Sequence, residues 1–173
     1  MQTLATIGYE SSSLEDFLAT LEAAEVKALI DVREAPISRR KGFSKNALRE
    51  AVEGAGINYI HLAGLGDPKE GREAARDGRF DDFLRIFSAQ METPVFKENL
   101  GEAAEIARNG GACLMCYERA HDSCHRKLVA EALSDIIDIS IRPLGVRKGI
   151  GKNGGTIRPR TRHNASESAT ACG

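Results

Sequence analysis

The chain has 173 residues, of which 42% are hydrophobic and 28% charged, a composition typical of one globular domain whose core needs neither disulfides nor a metal. The sequence lacks a secretion signal and any run approaching the roughly 18 apolar residues of a membrane span, and its four cysteines are too few for a disulfide framework; we therefore expect a cytoplasmic protein without a membrane partner. The net charge of −1 is unevenly spread. Residues 142–173 hold seven Lys/Arg and one acidic residue, whereas residues 1–141 hold 17 Lys/Arg and 24 acidic residues.

The first 62 residues predict three strands separated by two helices. Short apolar runs at 3–9, 27–33 and 57–62 are typical of buried strands. Apolar residues that repeat at i, i+3, i+4 and i+7 predict a helix after the N-cap Ser13, and a second predicted helix follows the N-cap Ser44.

The second part of the chain begins with a polar, glycine-rich segment at 63–79, which predicts a loop with one helical turn at most. Beyond it, the predicted elements are helices at 80–91, 99–110 and 124–136 and strands at 112–118 and 138–144. Residues 1–146 are thus predicted to form a single α/β domain. Residues 147–173 are basic and lack an apolar period, so we predict a disordered C-terminal tail there.

Strands that alternate with helices predict a mostly parallel sheet with helices on both faces. Pro143 in the last strand indicates the end of that strand or an edge of the sheet. In open α/β sheets, ligands bind outside the carboxyl ends of the strands. The candidates at those ends are Gly8, Asp31, Arg33, His61, Cys116 and Glu118.

The cysteines near the last predicted helix do not form one group. Cys113 and Cys116 are three positions apart on a strand, an odd step that directs their side chains to opposite faces. Cys124 opens the following helix, for which Asp122 or Ser123 is the predicted N-cap, and a tight turn can return it towards Cys116. A thiol at a helix N-terminus tends to have a lowered pKa.

Cys116, Cys124 and His125 therefore have three possible interpretations. They could form a reactive thiol pair, a metal site together with His121, or a polar pocket with structural cysteines. The C-x7-C-H spacing lacks a second well-spaced ligand pair, so we predict no metal site. The predicted catalytic residues are Cys116, Glu118, Cys124 and His125.

A second group of candidates lies between residues 33 and 49, where six Lys/Arg accompany one acid, Glu34. This segment follows a strand and reaches a helix N-terminus, whose free N–H groups favour a phosphate or a carboxylate. The predicted ligands of such an anion are Gly8, Asp31, Arg33, Arg39, Ser44, Lys45, His61 and Arg126. The alternative is a solvated loop in which Arg33 pairs with Asp31 or Glu118.

The segments TIGYESSSLEDF, DVREAPISRRKGFSK, GINYIHLAGLGD and CYERAHDSCHR together resemble the DUF488 family of uncharacterised bacterial and archaeal proteins. The resemblance runs from about Thr6 to Leu144 and departs at Gly66-Asp67 and in the basic tail. It implies an α/β, Rossmann-like three-layer sandwich and no agreed activity. The residues that carry it are Gly8, Asp31, Arg33, Pro36, Ser38, Phe43, Ser44, Lys45, Tyr59, Leu65, Gly66, Cys116, Glu118, Cys124, His125 and Arg126.

We predict first a protein that binds an anionic ligand, a nucleotide or nucleic-acid phosphate, in one cleft at the strand ends. Glu118 and His125 would orient the ligand or move protons, and Cys116 or Cys124 would be the nucleophile of an enzyme. The alternatives are a rhodanese-like sulfurtransferase or thiol-redox enzyme using both cysteines, and a non-enzymatic nucleic-acid-binding accessory protein using the basic segment and tail. The sequence does not identify a cofactor, and a structural zinc is compatible with each of these hypotheses.

Overall fold

The computed structural model describes residues 1–153, which form five strands and seven helices. The strands are β1 (Gln2–Gly8), β2 (Ala28–Asp31), β3 (Asn58–His61), β4 (Ala112–Cys116) and β5 (Ile139–Leu144). The helices are α1 (Leu14–Ala23), α2 (Lys45–Gly54), α3 (Lys69–Arg76), α4 (Phe80–Met91), α5 (Pro94–Arg108), α6 (His125–Ile136) and α7 (Ile150–Asn153). Single 3₁₀ turns at Ala63–Leu65 and His121–Ser123 follow β3 and β4.

The five strands form one sheet in the order β3-β2-β4-β1-β5, and every neighbouring pair is parallel. The register places Gly8 beside Cys116 and Asp31 beside Met115 at the carboxyl ends of the central strands. Pro143 lies on the edge strand β5, as predicted. The predicted α/β, Rossmann-like three-layer architecture is confirmed.

The sheet separates two apolar layers. On one face, here the α1–α2 face, side chains such as Phe17 and Val52 pack against strand residues that include Cys113. On the other, the α4–α6 face, Phe87 and others pack against strand residues that include Cys116. The odd spacing along β4 therefore places the two cysteines in different layers, as predicted.

The helix N-termini show which predicted caps were correct. Ser13 caps α1, since its Oγ accepts a hydrogen bond from the Asp16 N–H at 3.1 Å. Ser44 precedes α2 as predicted, but its hydroxyl group bonds to the backbone of Ser38 instead of capping the helix. The predicted cap of α6 was wrong, because Cys124 is the N-cap and the two preceding residues belong to the 3₁₀ turn.

Two helices differ from the prediction. The segment Lys69–Arg76 is the two-turn helix α3, where a loop was predicted. Its buried residues, Gly71 and Ala74, are small, so they produce no apolar periodicity that the sequence would reveal. Helix α5 begins at Pro94, earlier than predicted, because Thr93 caps it by accepting a hydrogen bond from the Phe96 N–H at 3.3 Å.

Packing continues beyond the predicted domain boundary at residue 146. The N–H groups of Gly149 and Gly151 each donate to the Asp16 carboxylate at 2.9 Å, which fixes α7 against α1. The rest of the predicted tail, residues 154–173, lies outside the described residues. Among the helices of residues 1–153, none combines the length and the apolar character that crossing a membrane requires.

Candidate functional site

Four side chains with metal-ligating atoms converge at the carboxyl end of β4. They are Cys116, Glu118, Cys124 and His125, and one ligand atom from each lies within 4.8 Å of the others. Each thiol group donates a hydrogen bond to Glu118 Oε2 at 3.1 Å. His125 Nδ1 lies 3.6 Å from Cys116 Sγ and 3.8 Å from Cys124 Sγ. The structure thus brings together all four predicted catalytic residues, here called the Cys/His/Glu cluster.

The loop between β4 and α6 is held in place through its backbone. Arg126 donates from its guanidinium group to the carbonyl oxygens of Glu118 and Arg119. The Glu118 carbonyl also passes so close to Gly8 that a Cβ atom on that residue would lie 1.8 Å from the oxygen. Glu10 adds a carboxylate that accepts from the Arg119 N–H at 3.0 Å. A glycine on β1 and an arginine on α6 therefore determine where Glu118 stands.

His125 is oriented by the backbone directly after β2, the strand that lies next to β4. Its Nε2 lies 3.0 Å from the carbonyl oxygen of Val32, which can only accept, so Nε2 carries the hydrogen. The other ring nitrogen, Nδ1, consequently faces the two sulfur atoms. Burial lowers the pKa of His125, but its contacts with Cys124, Val32 and Glu118 outweigh burial and raise the pKa to about 9.

Burial and hydrogen bonding also determine the ionisation of the other groups. Burial raises the pKa of Cys124 well above its ordinary value, so this thiol group is protonated at neutral pH. For Glu118, burial opposes ionisation, but hydrogen bonds from both thiol groups hold its pKa below the usual range. The cluster therefore pairs one carboxylate with two thiol donors.

The spacing of the cluster is close to that of ligands around a tetrahedral metal. Zinc–sulfur bonds of about 2.3 Å and zinc–nitrogen bonds of about 2.0–2.1 Å separate sulfur and nitrogen ligands by about 3.6 Å. The two sulfur–nitrogen distances of 3.6 and 3.8 Å match that separation. The sulfur–oxygen distances of 3.1 Å are shorter, and rotation of the Glu118 side chain can lengthen them.

Charged groups of both signs surround the cluster, since Asp67 and Glu34 are acidic and Arg72 and Arg126 are basic. Asp67 is 5% exposed, and its charge interacts with those of His125 and Glu118. Burial raises the pKa of Asp67 to about 6. Glu34, which also acts on Asp67, forms an ion pair with Arg72. The charges around the cluster are therefore close to balanced, so the chemistry of its own ligand atoms decides which ion it suits.

A family model for a domain of unknown function, DUF488, matches residues 13–133 of the chain. The chain belongs to the DUF488 family. The matched range contains the whole Cys/His/Glu cluster. No curated protein and no solved structure matches the chain.

Two of the predicted anion ligands of this DUF488 protein, Asp31 and Arg33, do not share one cleft with the cluster. Asp31 and Arg33 alternate with Val32 along the chain, so they point to the α1–α2 face, whereas the cluster lies on the α4–α6 face. Arg33 donates to both Asp31 carboxylate oxygens, at 2.9 and 2.7 Å, and to Tyr9 Oη and the Phe43 carbonyl at 3.0 and 2.8 Å. Its guanidinium group is therefore occupied by protein partners.

The remaining predicted residues are divided between the two faces and the surface. His61 Nε2 lies 2.7 Å from the Arg33 carbonyl oxygen, next to the Asp31 network. Arg126 is 1% exposed and supports the loop of the cluster. Arg39 is exposed, and Ser44 and Lys45 lie half-buried at the start of α2.

Several polar residues of both regions were not predicted as site residues, although Tyr59 is among those that carry the family resemblance. Tyr59 donates to Asp31 at 2.6 Å, and Tyr9 accepts from Arg33 at 3.0 Å, which completes the buried network on the α1–α2 face. Asp67 and Arg72 flank the cluster. The position of Asp67 after β3 was the one available signal, because its burial depends on α3, which the sequence did not predict.

Proposed function

We propose that this DUF488 protein binds a thiophilic divalent metal ion, in the first place zinc, through Cys116, Cys124, His125 and Glu118. The convergence of four ligand atoms within 4.8 Å carries this proposal. Two thiolates, an imidazole and a carboxylate are a ligand set that zinc accepts in tetrahedral geometry, and the thiolates discriminate against magnesium and calcium. The sequence favoured no metal here, because spacing along the chain did not reveal that Glu118 joins the set.

The support from His125 is separate from the distances. Metal-bound histidines usually donate their second ring N–H to a protein acceptor, which fixes the ring and its tautomer. The bond from His125 Nε2 to the Val32 carbonyl at 3.0 Å has this role, and it leaves Nδ1 directed at the sulfur atoms. His125 therefore has the orientation expected of a metal ligand, with one ring nitrogen held by the backbone and the other directed at two sulfur atoms.

The same contacts count against a sulfurtransferase or thiol-redox enzyme. A nucleophilic cysteine needs a stabilised thiolate, but Cys124 has a raised pKa and both thiol groups face the Glu118 carboxylate. Thiosulfate incubation tests this alternative, since a sulfurtransferase would gain one sulfur atom on Cys116 or Cys124 and release sulfite. We expect no mass increase.

Elemental analysis of the purified full chain tests the proposal. We expect one zinc per chain, and at least about a 100-fold loss of affinity in Cys116→Ser and in Cys124→Ser. Cys113→Ala is the matched control, because Cys113 lies on the same strand but in the opposite apolar layer. A Cys172→Ser background removes the fourth cysteine, which lies outside the described residues. Zinc retained by the Cys116→Ser/Cys124→Ser double variant would contradict the proposal.

We propose as a second candidate function that the basic segment leading into α2, residues 33–49, binds an anion, a nucleotide or nucleic-acid phosphate. Within residues 1–153, none of the ion pairs involves Arg39, Lys41 or Lys45. Cations without a carboxylate partner beside a helix N-terminus favour a phosphate ligand. This surface is separate from the metal site, so the two proposals are independent.

A labelled single-stranded oligonucleotide provides the test of the second candidate. We expect affinity to fall with salt, and Arg39→Ala/Lys41→Ala to reduce the slope of log affinity against log salt by about 0.7 for each phosphate that the variant no longer neutralises. The control is Lys69→Ala/Lys97→Ala, which removes two lysines that pair with Glu73 and Glu92. Equal effects of the two double variants would exclude a specific role of the basic segment.

A further inference from the structure

The four side chains of the Cys/His/Glu cluster differ in exposure. Cys116, Cys124 and His125 are 4%, 5% and 7% exposed, whereas Glu118 is half-buried. Cys116 ends a strand that lies between two others, and the other two buried members begin α6. Glu118 belongs to the connecting loop, so it is the one member whose side chain can leave without moving a strand or a helix.

The hydrogen bonds of the Glu118 carboxylate change when a metal binds. In the structure, its Oε2 accepts hydrogen bonds from two S–H donors at 3.1 Å. A metal binds the thiolate forms, which have no hydrogen to donate. Loading would therefore break both hydrogen bonds, and the carboxylate would then face two negative sulfur atoms. Its main attachment would be its bond to the metal.

The backbone contacts of Glu118 would not change when a metal binds. Its carbonyl oxygen stays fixed by the Arg126 guanidinium group and by the close approach of Gly8. The loop therefore keeps its course while the side chain rotates between the metal and solvent. An arrangement of three buried ligands and one detachable ligand is that of a catalytic site, whereas structural zinc sites are closed by four permanent ligands.

We propose that Glu118 is an exchangeable ligand and that the metal offers its position to an uncharged donor, such as a water, hydroxyl or carbonyl oxygen of a substrate. This inference rests on the proposed metal binding. The charge of a divalent ion is cancelled by the two thiolates, so little attraction for an anion is left. Around the site, Glu34 and Arg72 offset each other as an ion pair, and the Asp67 carboxylate, whose pKa is about 6, offsets the charge of Arg126 at higher pH.

Cobalt substitution separates the two proposals, because cobalt reports thiolate ligation and coordination number by different absorption bands. Thiolate-to-cobalt charge-transfer bands in the near ultraviolet test metal binding itself. The d–d bands in the visible range test whether a further ligand enters. Wild type and Glu118→Gln are compared, with Glu34→Gln as the matched control, since Glu34 is an acidic neighbour that is not in the cluster.

Imidazole and azide at pH 8 are the two probes, because both bind metals through nitrogen and differ in charge. We expect imidazole to change the d–d bands of wild type at a lower concentration than azide does. In Glu118→Gln, imidazole should act at a concentration about tenfold lower than in wild type. Glu118→Gln should keep the charge-transfer bands with about a tenfold loss of cobalt affinity at most. Glu34→Gln should behave as wild type with imidazole.

Each other outcome overturns one proposal. Absence of charge-transfer bands in wild type would refute the metal site itself. Charge-transfer bands with d–d bands that neither probe changes in either protein would show a closed structural site and refute ligand exchange. Tighter binding of azide than of imidazole would refute the uncharged ligand class. A loss of cobalt in Glu118→Gln as large as in Cys124→Ser would make Glu118 a permanent ligand.

Discussion

Asp67 carries a buried carboxylate oxygen, Oδ1, that has no hydrogen-bond partner among the described residues. Burial raises its pKa from an ordinary value of 3.8 to about 6. The folded state therefore binds this proton more tightly than the unfolded state does. The resulting stability is present below about pH 4 and is lost as the pH rises through 6, because the folded protein must then hold a buried charge.

We predict that Asp67→Asn stabilises the metal-free protein at pH 7.5 and has little effect at pH 4. One pKa unit corresponds to about 1.4 kcal/mol, so a gain of about 1–3 kcal/mol in the free energy of unfolding is expected at the higher pH. Urea unfolding at the two pH values measures it. Asp138→Asn, at an exposed carboxyl group between α6 and β5, is the control and should change neither value. A loss of stability at pH 7.5 would contradict the prediction.

The ligands of the proposed metal predict a steep pH dependence of its binding. The Cys124 thiol, whose pKa burial raises, and His125 Nδ1, whose pKa is raised to about 9, must each lose a proton when the metal enters. These two groups alone should make log affinity for zinc rise by about 2 per pH unit between pH 6 and 8. Competition with a chromophoric chelator measures the slope.

The variant Cys124→Ser should reduce this slope by about 1, because one titrating thiol group is gone. Cys113→Ala, which removes a thiol group from the other apolar layer, should leave the slope unchanged. A slope near zero in wild type would mean that the thiol groups are not metal ligands.

At the scale of elements, β1 determines the position of the loop that carries Glu118. A Cβ atom at Gly8 would lie 1.8 Å from the Glu118 carbonyl oxygen and 2.9 Å from the Arg119 nitrogen, so the loop must shift if any side chain is added. We predict that Gly8→Ala lowers zinc affinity by about 10–100-fold, as removal of a supporting interaction at a metal site does. Isothermal titration calorimetry measures the affinity.

Gly101→Ala is the matched control for this substitution. Gly101 lies inside α5, and a Cβ atom there would have no neighbour within 4 Å. Alanine should therefore stabilise the helix by about 0.5–1 kcal/mol and leave zinc affinity unchanged. Equal zinc affinity of Gly8→Ala and wild type would show that the loop does not position a ligand.

The elements also show where the sequence was informative. Strands and helices with large apolar side chains were predictable because their periods of 2 and about 3.6 differ. Helix α3 was not predictable in this way, since it buries only Gly71 and Ala74. Side chains alternate between the two faces of a strand, and this period of 2 correctly put Cys113 and Cys116 on opposite faces. Applied to β2 and the residues after it, the same period puts Arg33 on the face opposite Val32. It would therefore have removed Arg33 from the predicted cleft.

At the scale of the whole molecule, the parallel sheet and its two helical layers followed from the alternation of elements and from the residues shared with the DUF488 family. The convergence of the four catalytic candidates was expected, because β4 and α6 meet at the carboxyl end of the sheet. Their geometry was not, since it depends on interactions between distant parts of the chain. Gly8 and Val32 both lie far before the side chains that they position, Glu118 and His125, and short-range sequence patterns do not report such pairs.

A metal in this cluster would connect a central strand to a helix of the α4–α6 face, so its binding should stabilise the whole fold. Zinc at about 1,000 times its dissociation constant adds about 4 kcal/mol to the free energy of unfolding, which corresponds to an increase of about 10 °C in Tm for a chain of this size. Differential scanning calorimetry with and without zinc measures the shift. Cys113→Ala should show the full shift, whereas the Cys116→Ser/Cys124→Ser double variant should show none. Magnesium, which avoids thiolate ligands, should leave Tm unchanged in every variant. An equal zinc shift in the double variant would place the bound metal elsewhere on the molecule.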